Sequence, residues 1–160
     1  EGVRMGPLAH ARRLDAMEAL VGDAVAKGAT VETGGHRIGN KGYFFEPTVL
    51  TGVPREARIM NEEPFGPVAM VAPFETYEEA VAEANRLPYG LAGFAVTLSQ
   101  KTAAALAGSI ESGMVSVNHQ GLALPEVPFG GVKDSGYGSE GGADALAAYQ
   151  VTKFVSLMNG

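Results

Sequence analysis

Between residues 68 and 117, short apolar runs alternate with capped amphipathic segments, a pattern that few architectures accept. Residues 68–74 read as a nearly all-apolar strand of the kind buried on both faces. Thr76 followed three residues later by Glu79 is a capping box, predicting a helix to about Leu87. Pro88-Tyr89-Gly90 stops that helix, and residues 91–98 read as a second buried strand. Ser99 can cap another helix, with Ala103, Leu106, Ala107 and Ile110 as its apolar stripe and Gly113 as its end. Residues 114–117 form a third strand. A β-α-β-α-β run with short connections favours a parallel sheet with right-handed crossovers, and so an α/β fold.

The flanks are less regular. Gly6-Pro7 is expected to open a helix whose stripe is Leu14, Met17, Leu20, Val21, Ala24 and Val25, with Arg12, Arg13, Asp15, Glu18 and Asp23 on the other face. Lys27-Gly28 should end it. A short strand follows near Thr30 to Glu32, then a loop over 34–42. A strand over 43–50 comes next, with Pro47 suggesting an edge or an end. Residues 118–142 hold seven glycines and little periodicity, and a loop that long is either functional or a sign that its elements are misassigned. A short helix over 143–149 and an alternating strand over 151–157 close the chain. That last strand invites pairing elsewhere, such as with another subunit.

Composition narrows the function classes. The formal charge is −6, and a nucleic-acid surface would normally be basic. No run approaches the roughly 18 to 20 apolar residues of a membrane helix. There are no cysteines, so this chain can supply neither a disulfide nor a thiolate nucleophile. His10, His36 and His119 have no metal-ligand spacing, and no metal site is expected. The first residue is Glu1, which leads us to expect a piece of something longer, and no targeting segment is visible. The expected compartment is the cytoplasm.

Two segments could carry chemistry. In Asn61-Glu62-Glu63-Pro64-Phe65-Gly66-Pro67, two prolines and a glycine stiffen the backbone, presenting Glu63 and Phe65 with little freedom. A carboxylate can accept both hydrogens of a vicinal diol, and an aromatic ring can pack on a flat cofactor ring. A tight turn with solvated acids is the plainer alternative. The second segment runs from Pro128-Phe129-Gly130-Gly131-Val132-Lys133-Asp134-Ser135-Gly136 to Gly142. Its glycines permit close backbone approach to a ligand, but it matches no phosphate-binding pattern, so a structural loop is the default reading.

Glu63-Pro64-Phe65-Gly66-Pro67 and Pro128 through Gly136 resemble two signatures of the aldehyde dehydrogenase superfamily, in its order and separation. Tyr89-Gly90-Leu91-Ala92 and Ser112-Gly113-Met114-Val115-Ser116-Val117-Asn118 between them are also similar. So are Gly34-Gly35, Gly42-Tyr43-Phe44 and Pro47-Thr48-Val49 upstream, and Ala148-Tyr149 with Lys153 downstream. The likeness spans nearly the whole chain. It implies residues 1–150 as the carboxy-terminal part of a catalytic domain, and 151–160 as an oligomerisation strand and tail.

The resemblance assigns residues as well. Glu63 would hold the nicotinamide-ribose hydroxyls of NAD or NADP, and Phe65 would pack beside the nicotinamide. Glu62 would be a neighbouring surface or structural acid. Phe129 would line the aldehyde tunnel, with a structural role as the alternative. Glu140 would be a catalytic-centre acid relaying protons to bulk water, although Ser139 stands where the family usually has Arg. The family's chemistry is thiolate attack on the aldehyde, hydride transfer, then thioester hydrolysis. Its Cys nucleophile, Glu base and oxyanion-hole amide all lie upstream of the matched segment. The chain is therefore expected to be a fragment that is inactive alone and needs the remainder of the parent enzyme.

The partners implied are a small-molecule aldehyde and a second copy, in a homodimer or homotetramer, with neither nucleic acid nor membrane. In style the loop at 118–142 is closest to the succinate-semialdehyde dehydrogenase branch. That branch commonly has carboxylate-binding serines here, whereas this loop has none between Asn118 and Pro128. A small semialdehyde and an uncharged aldehyde both remain open. His119, at the start of the loop, reads most simply as a hydrogen-bonded loop histidine. Two further readings stand beside the dehydrogenase: a non-catalytic interaction module that keeps the fold, and an acyl-transferring or phosphorylating relative.

Overall fold

The computed structural model describes residues 5–160. Contacts divide the chain into two compact units, Glu1–Pro73 and Phe74–Gly160.

The first unit is built on helix α1 (Ala11–Ala26), which buries Leu14, Met17, Leu20, Val21 and Ala24. These pack with Phe45, Leu50, Ala57 and Ile59 into one core. Each large apolar side chain buried there contributes about 1.5 to 3 kcal/mol. The predicted stripe is the observed one, except that Val25 stays exposed. The start differs from the expectation at Gly6-Pro7: the helix begins four residues on from Pro7, with His10 as N-cap. The Leu8 N–H donates to the Tyr43 carbonyl (2.8 Å), so the segment before the helix is held extended by a neighbouring loop.

Strands β1 (Thr30–Thr33), β2 (Thr48–Thr51) and β3 (Val68–Val71) form one sheet in that order. β1 runs antiparallel and β3 parallel to β2. The strand expected over 43–50 is shortened to β2, with Phe45 in an isolated bridge to Arg37. It is the central strand, not an edge. Pro47, which has no N–H, stands just before the ladder, where no donor is required.

The second unit carries α2 (Tyr77–Ala84), β4 (Tyr89–Gly90), β5 (Ala92–Ala95), α3 (Gln100–Ser109), β6 (Met114–Val117) and β7 (Val132–Lys133). The Thr76 hydroxyl accepts from the Glu79 N–H (3.1 Å), and the Ser99 hydroxyl from the Thr102 N–H (3.2 Å), so both predicted caps form. β5 and β6 pair in parallel across α3, a β-α-β crossover as expected. The α/β class is borne out, with sheets that are mixed.

Four expectations fail in detail. β3 pairs with β2 and not with the strands that follow it. The strands read as buried on both faces alternate between half-buried and exposed, Val71 being 54% exposed. Parallel strands need cover on both faces, and among the described residues these lack it. Tyr89-Gly90, read only as a helix stop, also forms the strand that pairs antiparallel with β7. Residues 151–157 form no strand, and Val151 is 95% exposed. A strand exists only through ladder hydrogen bonds, and an alternating segment without a neighbour has none. The helix expected over 143–149 is present as a 3₁₀ turn, Ala143–Tyr149.

Candidate functional site

The first candidate turn is fastened on both sides. A 3₁₀ turn, Arg58–Met60, leads into it, and the Asn61 amide donates to the Arg55 and Ala57 carbonyls (2.7 and 2.9 Å). The Arg58 guanidinium grips Glu62 with two bonds of 2.7 and 3.0 Å. This pairing holds the Glu62 carboxyl below the ordinary carboxylate range. Glu62 is thus occupied structurally, as the resemblance implied. Asp23 joins the same cluster: it accepts the Arg58 N–H (2.8 Å), pairs with Lys27, and is likewise held below its ordinary value, Lys27 being the larger cause.

Beyond Phe65, the Gly66 carbonyl accepts from the Val68 N–H and the Pro67 carbonyl from the Thr48 N–H, each at 2.8 Å. A Cβ on Gly66 would run into the sulfur of Met17, so that fully buried side chain would have to shift to admit any other residue. Between these ties Glu63 is exposed, with no hydrogen bond or ion pair among the described residues. Phe65 stands at φ +34° with 70% of its surface exposed. A left-handed non-glycine residue costs on the order of 1 to 3 kcal/mol and persists only where its surroundings impose it. The turn therefore projects a free carboxylate and a ring from a braced backbone.

Beside it lies a cavity of about 440 Å³ lined by Met5, Leu8, Arg13, Phe45, Phe65 and Pro67, among others. An unclaimed carboxylate next to an exposed ring and an apolar hollow suits a ribose diol joined to a flat heterocycle. In that respect the residues present fit a nicotinamide dinucleotide. Arg13 was placed on the polar face by sequence reasoning. It instead donates from Nη2 to the Pro64 carbonyl at 2.7 Å. The available signal was its four-residue spacing from Met17, which sets it beside the apolar stripe.

In the second unit, Phe129 and Glu140 exchange two backbone hydrogen bonds of 2.7 Å as an antiparallel pair. Residues directly opposite in such a pair project to the same face, so two predicted site residues are brought together. Phe129 is 36% exposed, and Glu140 is exposed.

The remaining motif residues between them act as fasteners. Lys133 Nζ pairs with Glu111 (2.5 Å) and donates to the Asn85 carbonyl (3.2 Å) just past the end of α2. The Ser135 hydroxyl accepts the Gly90 N–H (2.9 Å). A Cβ on Gly113 would strike the Gly130 carbonyl oxygen and stand 3.1 Å from the Gly131 Cα, so the Gly-Gly pair crosses directly over the start of β6. The glycines serve close backbone packing, the structural reading given above.

The loop start is also pinned. Asn118 sits at φ +63°, and its side-chain amide bonds both the N–H and the carbonyl of Thr97 (2.8 and 2.9 Å), extending the β5–β6 ladder by one rung. Ser116, 1% exposed, donates to the His119 carbonyl (2.6 Å). His119 accepts the Gly121 N–H at Nδ1 (3.1 Å), the behaviour of a loop histidine. No grouping of three or more His, Asp or Glu side chains fit for a metal occurs among the described residues. No helix among them is long and apolar enough to cross a membrane.

Residues 1–155 match the family model described as aldehyde dehydrogenase family. The chain is 47% identical over 152 residues to 4-(hydroxymethyl)benzenesulfonate dehydrogenase of Comamonas testosteroni, covering 95% of this chain and 32% of that protein. It resembles the crystal structure of succinate-semialdehyde dehydrogenase from Burkholderia pseudomallei, with a TM-score of 0.90 and 39% identity over 93% of this chain and 31% of that one. It also resembles the NAD+ complex of aldehyde dehydrogenase from Bacillus cereus, with a TM-score of 0.88 and 40% identity over 92% of this chain and 30% of that one. The chain thus spans about a third of the length of these relatives.

Proposed function

The chain belongs to the aldehyde dehydrogenase family, and from that premise we propose that it is the carboxy-terminal part of an NAD- or NADP-dependent enzyme oxidising an aldehyde to its acid. Residues 1–150 would form part of the catalytic domain, and 151–160, which form no strand within this chain, would pair as a strand and tail against a second copy. The observation that carries the reading is the braced turn at 63–65, whose carboxylate has no hydrogen bond or ion pair among the described residues and whose ring, on a left-handed backbone, is 70% exposed. When bound, the dinucleotide supplies a nicotinamide that accepts hydride from the substrate carbon.

This chain's residues orient and enclose. Glu63 accepts the ribose hydroxyls, and Phe65 packs against the nicotinamide face and excludes water from it. Phe129 lines the aldehyde's approach. Glu140, on the same face and open to solvent, passes a proton outward. With no cysteine in the sequence, the nucleophile belongs to the remainder of the parent enzyme, and the chain alone is inactive. The half-exposed strand faces and the 151–157 segment are where that remainder and a second copy would add cover, giving a cytoplasmic homodimer or homotetramer. The substrate class includes small semialdehydes. The exposed apolar tail also supports a second reading, a non-catalytic interaction module that pairs through residues 151–157.

The test is Glu63→Gln in the longer polypeptide that includes this chain. Weaker dinucleotide binding and slower hydride transfer in a single turnover are expected. Unchanged single-turnover kinetics would refute the assignment. Turnover by the purified 160-residue chain would overturn the placement of the nucleophile.

A further inference from the structure

We propose that Arg13 is a positioning residue for the cofactor-facing turn: from α1 it grips the Pro64 carbonyl, and so sets the angle at which Glu63 and Phe65 are presented. The inference rests on the reading of that turn given above.

The geometry is specific. The bond, Arg13 Nη2 to the Pro64 carbonyl oxygen at 2.7 Å, joins residues 51 apart in sequence. The carbonyl lies between the two residues that would meet the dinucleotide. No other hydrogen bond reaches the backbone of residues 63–65 among the described residues. The fastenings on Glu62, Gly66 and Pro67 fix the ends of the turn and leave its middle to Arg13. That middle holds the one strained residue, Phe65 at φ +34°, a conformation that must be imposed from outside.

Arg13 also lines the cavity with Phe65, Gly66 and Pro67, so the guanidinium meets the inner face of the turn directly. Its Nε is buried without a hydrogen-bond partner in the structure, an arrangement that is unfavourable by itself. A flexible ammonium in its place would have no such orphan donor. The planar fork fixes the direction of Nη2, which Lys cannot do, and a fixed direction is what a positioning contact requires.

The test uses the longer enzyme with three substitutions: Arg13→Met, Arg13→Gln, which keeps one amide donor, and Glu63→Gln. The readouts are dissociation of the reduced dinucleotide followed by its fluorescence, KM for the aldehyde, and hydrogen exchange of residues 62–68 without cofactor. Arg13→Met should weaken dinucleotide binding about tenfold, the loss of one charge-assisted hydrogen bond. It should leave aldehyde KM within about twofold and speed exchange across 62–68. Arg13→Gln should recover part of both effects, and it carries the test if Arg13→Met does not fold. Unchanged dinucleotide binding in the Arg13 variants while Glu63→Gln weakens it overturns this inference and leaves the cofactor reading standing. No effect of Glu63→Gln on binding sinks the cofactor reading itself. Weaker binding in Arg13→Met with exchange across 62–68 unchanged would mean that Arg13 touches the dinucleotide, and would also overturn the positioning role.

Discussion

Strain at Phe65 makes a sharp prediction, because it reverses a familiar order. At φ +34° the Cβ crowds the backbone, and removing it should release about 1 to 2 kcal/mol. The ring is 70% exposed, so losing it forfeits only about a third of the roughly 2 to 3 kcal/mol of a fully buried Phe. Glycine adds chain entropy to the unfolded state, about 0.5 to 1 kcal/mol. These terms nearly cancel, so Phe65→Gly should stay within about 1 kcal/mol of the parent protein. Phe65→Ala loses the same ring but keeps the strained Cβ. It should be less stable than Phe65→Gly by about 0.5 to 1 kcal/mol, whereas alanine normally outranks glycine. Urea midpoints at constant slope measure the difference. Phe45→Ala, at a site 2% exposed, calibrates the scale with an expected loss of about 3 to 5 kcal/mol. If Phe65→Ala proves as stable as Phe65→Gly or more so, the turn is unstrained and the bracing argument fails.

Three further outcomes are expected. Gly113→Ala should destabilise by about 2 to 3 kcal/mol, since its Cβ meets the Gly130 and Gly131 backbone, which no rotamer change can clear. Gly22→Ala, in the helix with open space around it, should stabilise by about 1 kcal/mol. Equal midpoint shifts in the two variants would contradict the packing read at Gly113. For acid stability, Asp23 and Glu62 are held below their ordinary values, so they favour the folded state above the unfolded carboxylate range of about 4. That contribution is lost as pH falls through the depressed folded values. The urea midpoint should therefore decline below about pH 5, and Asp23→Asn with Glu62→Gln should flatten the decline; an unaltered slope would show the cluster to be neutral.

Local elements were legible where short-range chemistry decides them. The Thr76 and Ser99 caps, the α1 stripe and the bounds of β6 follow from neighbours within four residues, and all are observed save for Val25 in the stripe. The contents of the two candidate segments were legible for the same reason, as prolines and glycines restrict the backbone wherever they stand. Partner choice was not legible. Strand periodicity states which side chains face together, not which strand supplies the ladder, so β3 beside β2 and the Tyr89-Gly90 pairing with β7 were missed.

The sequence alone determined that this chain makes capped helices and short apolar strands, and that a stiff turn carries Glu63 and Phe65. The fold decided what braces them. A guanidinium 51 residues from Pro64 reaches its carbonyl, Phe65 is held left-handed, and Phe129 comes to face Glu140 across two hydrogen bonds. Spacing along the chain encodes only contacts within a turn of helix or a step of strand. Long-range hydrogen bonds arise from how the core closes, which no local spacing encodes.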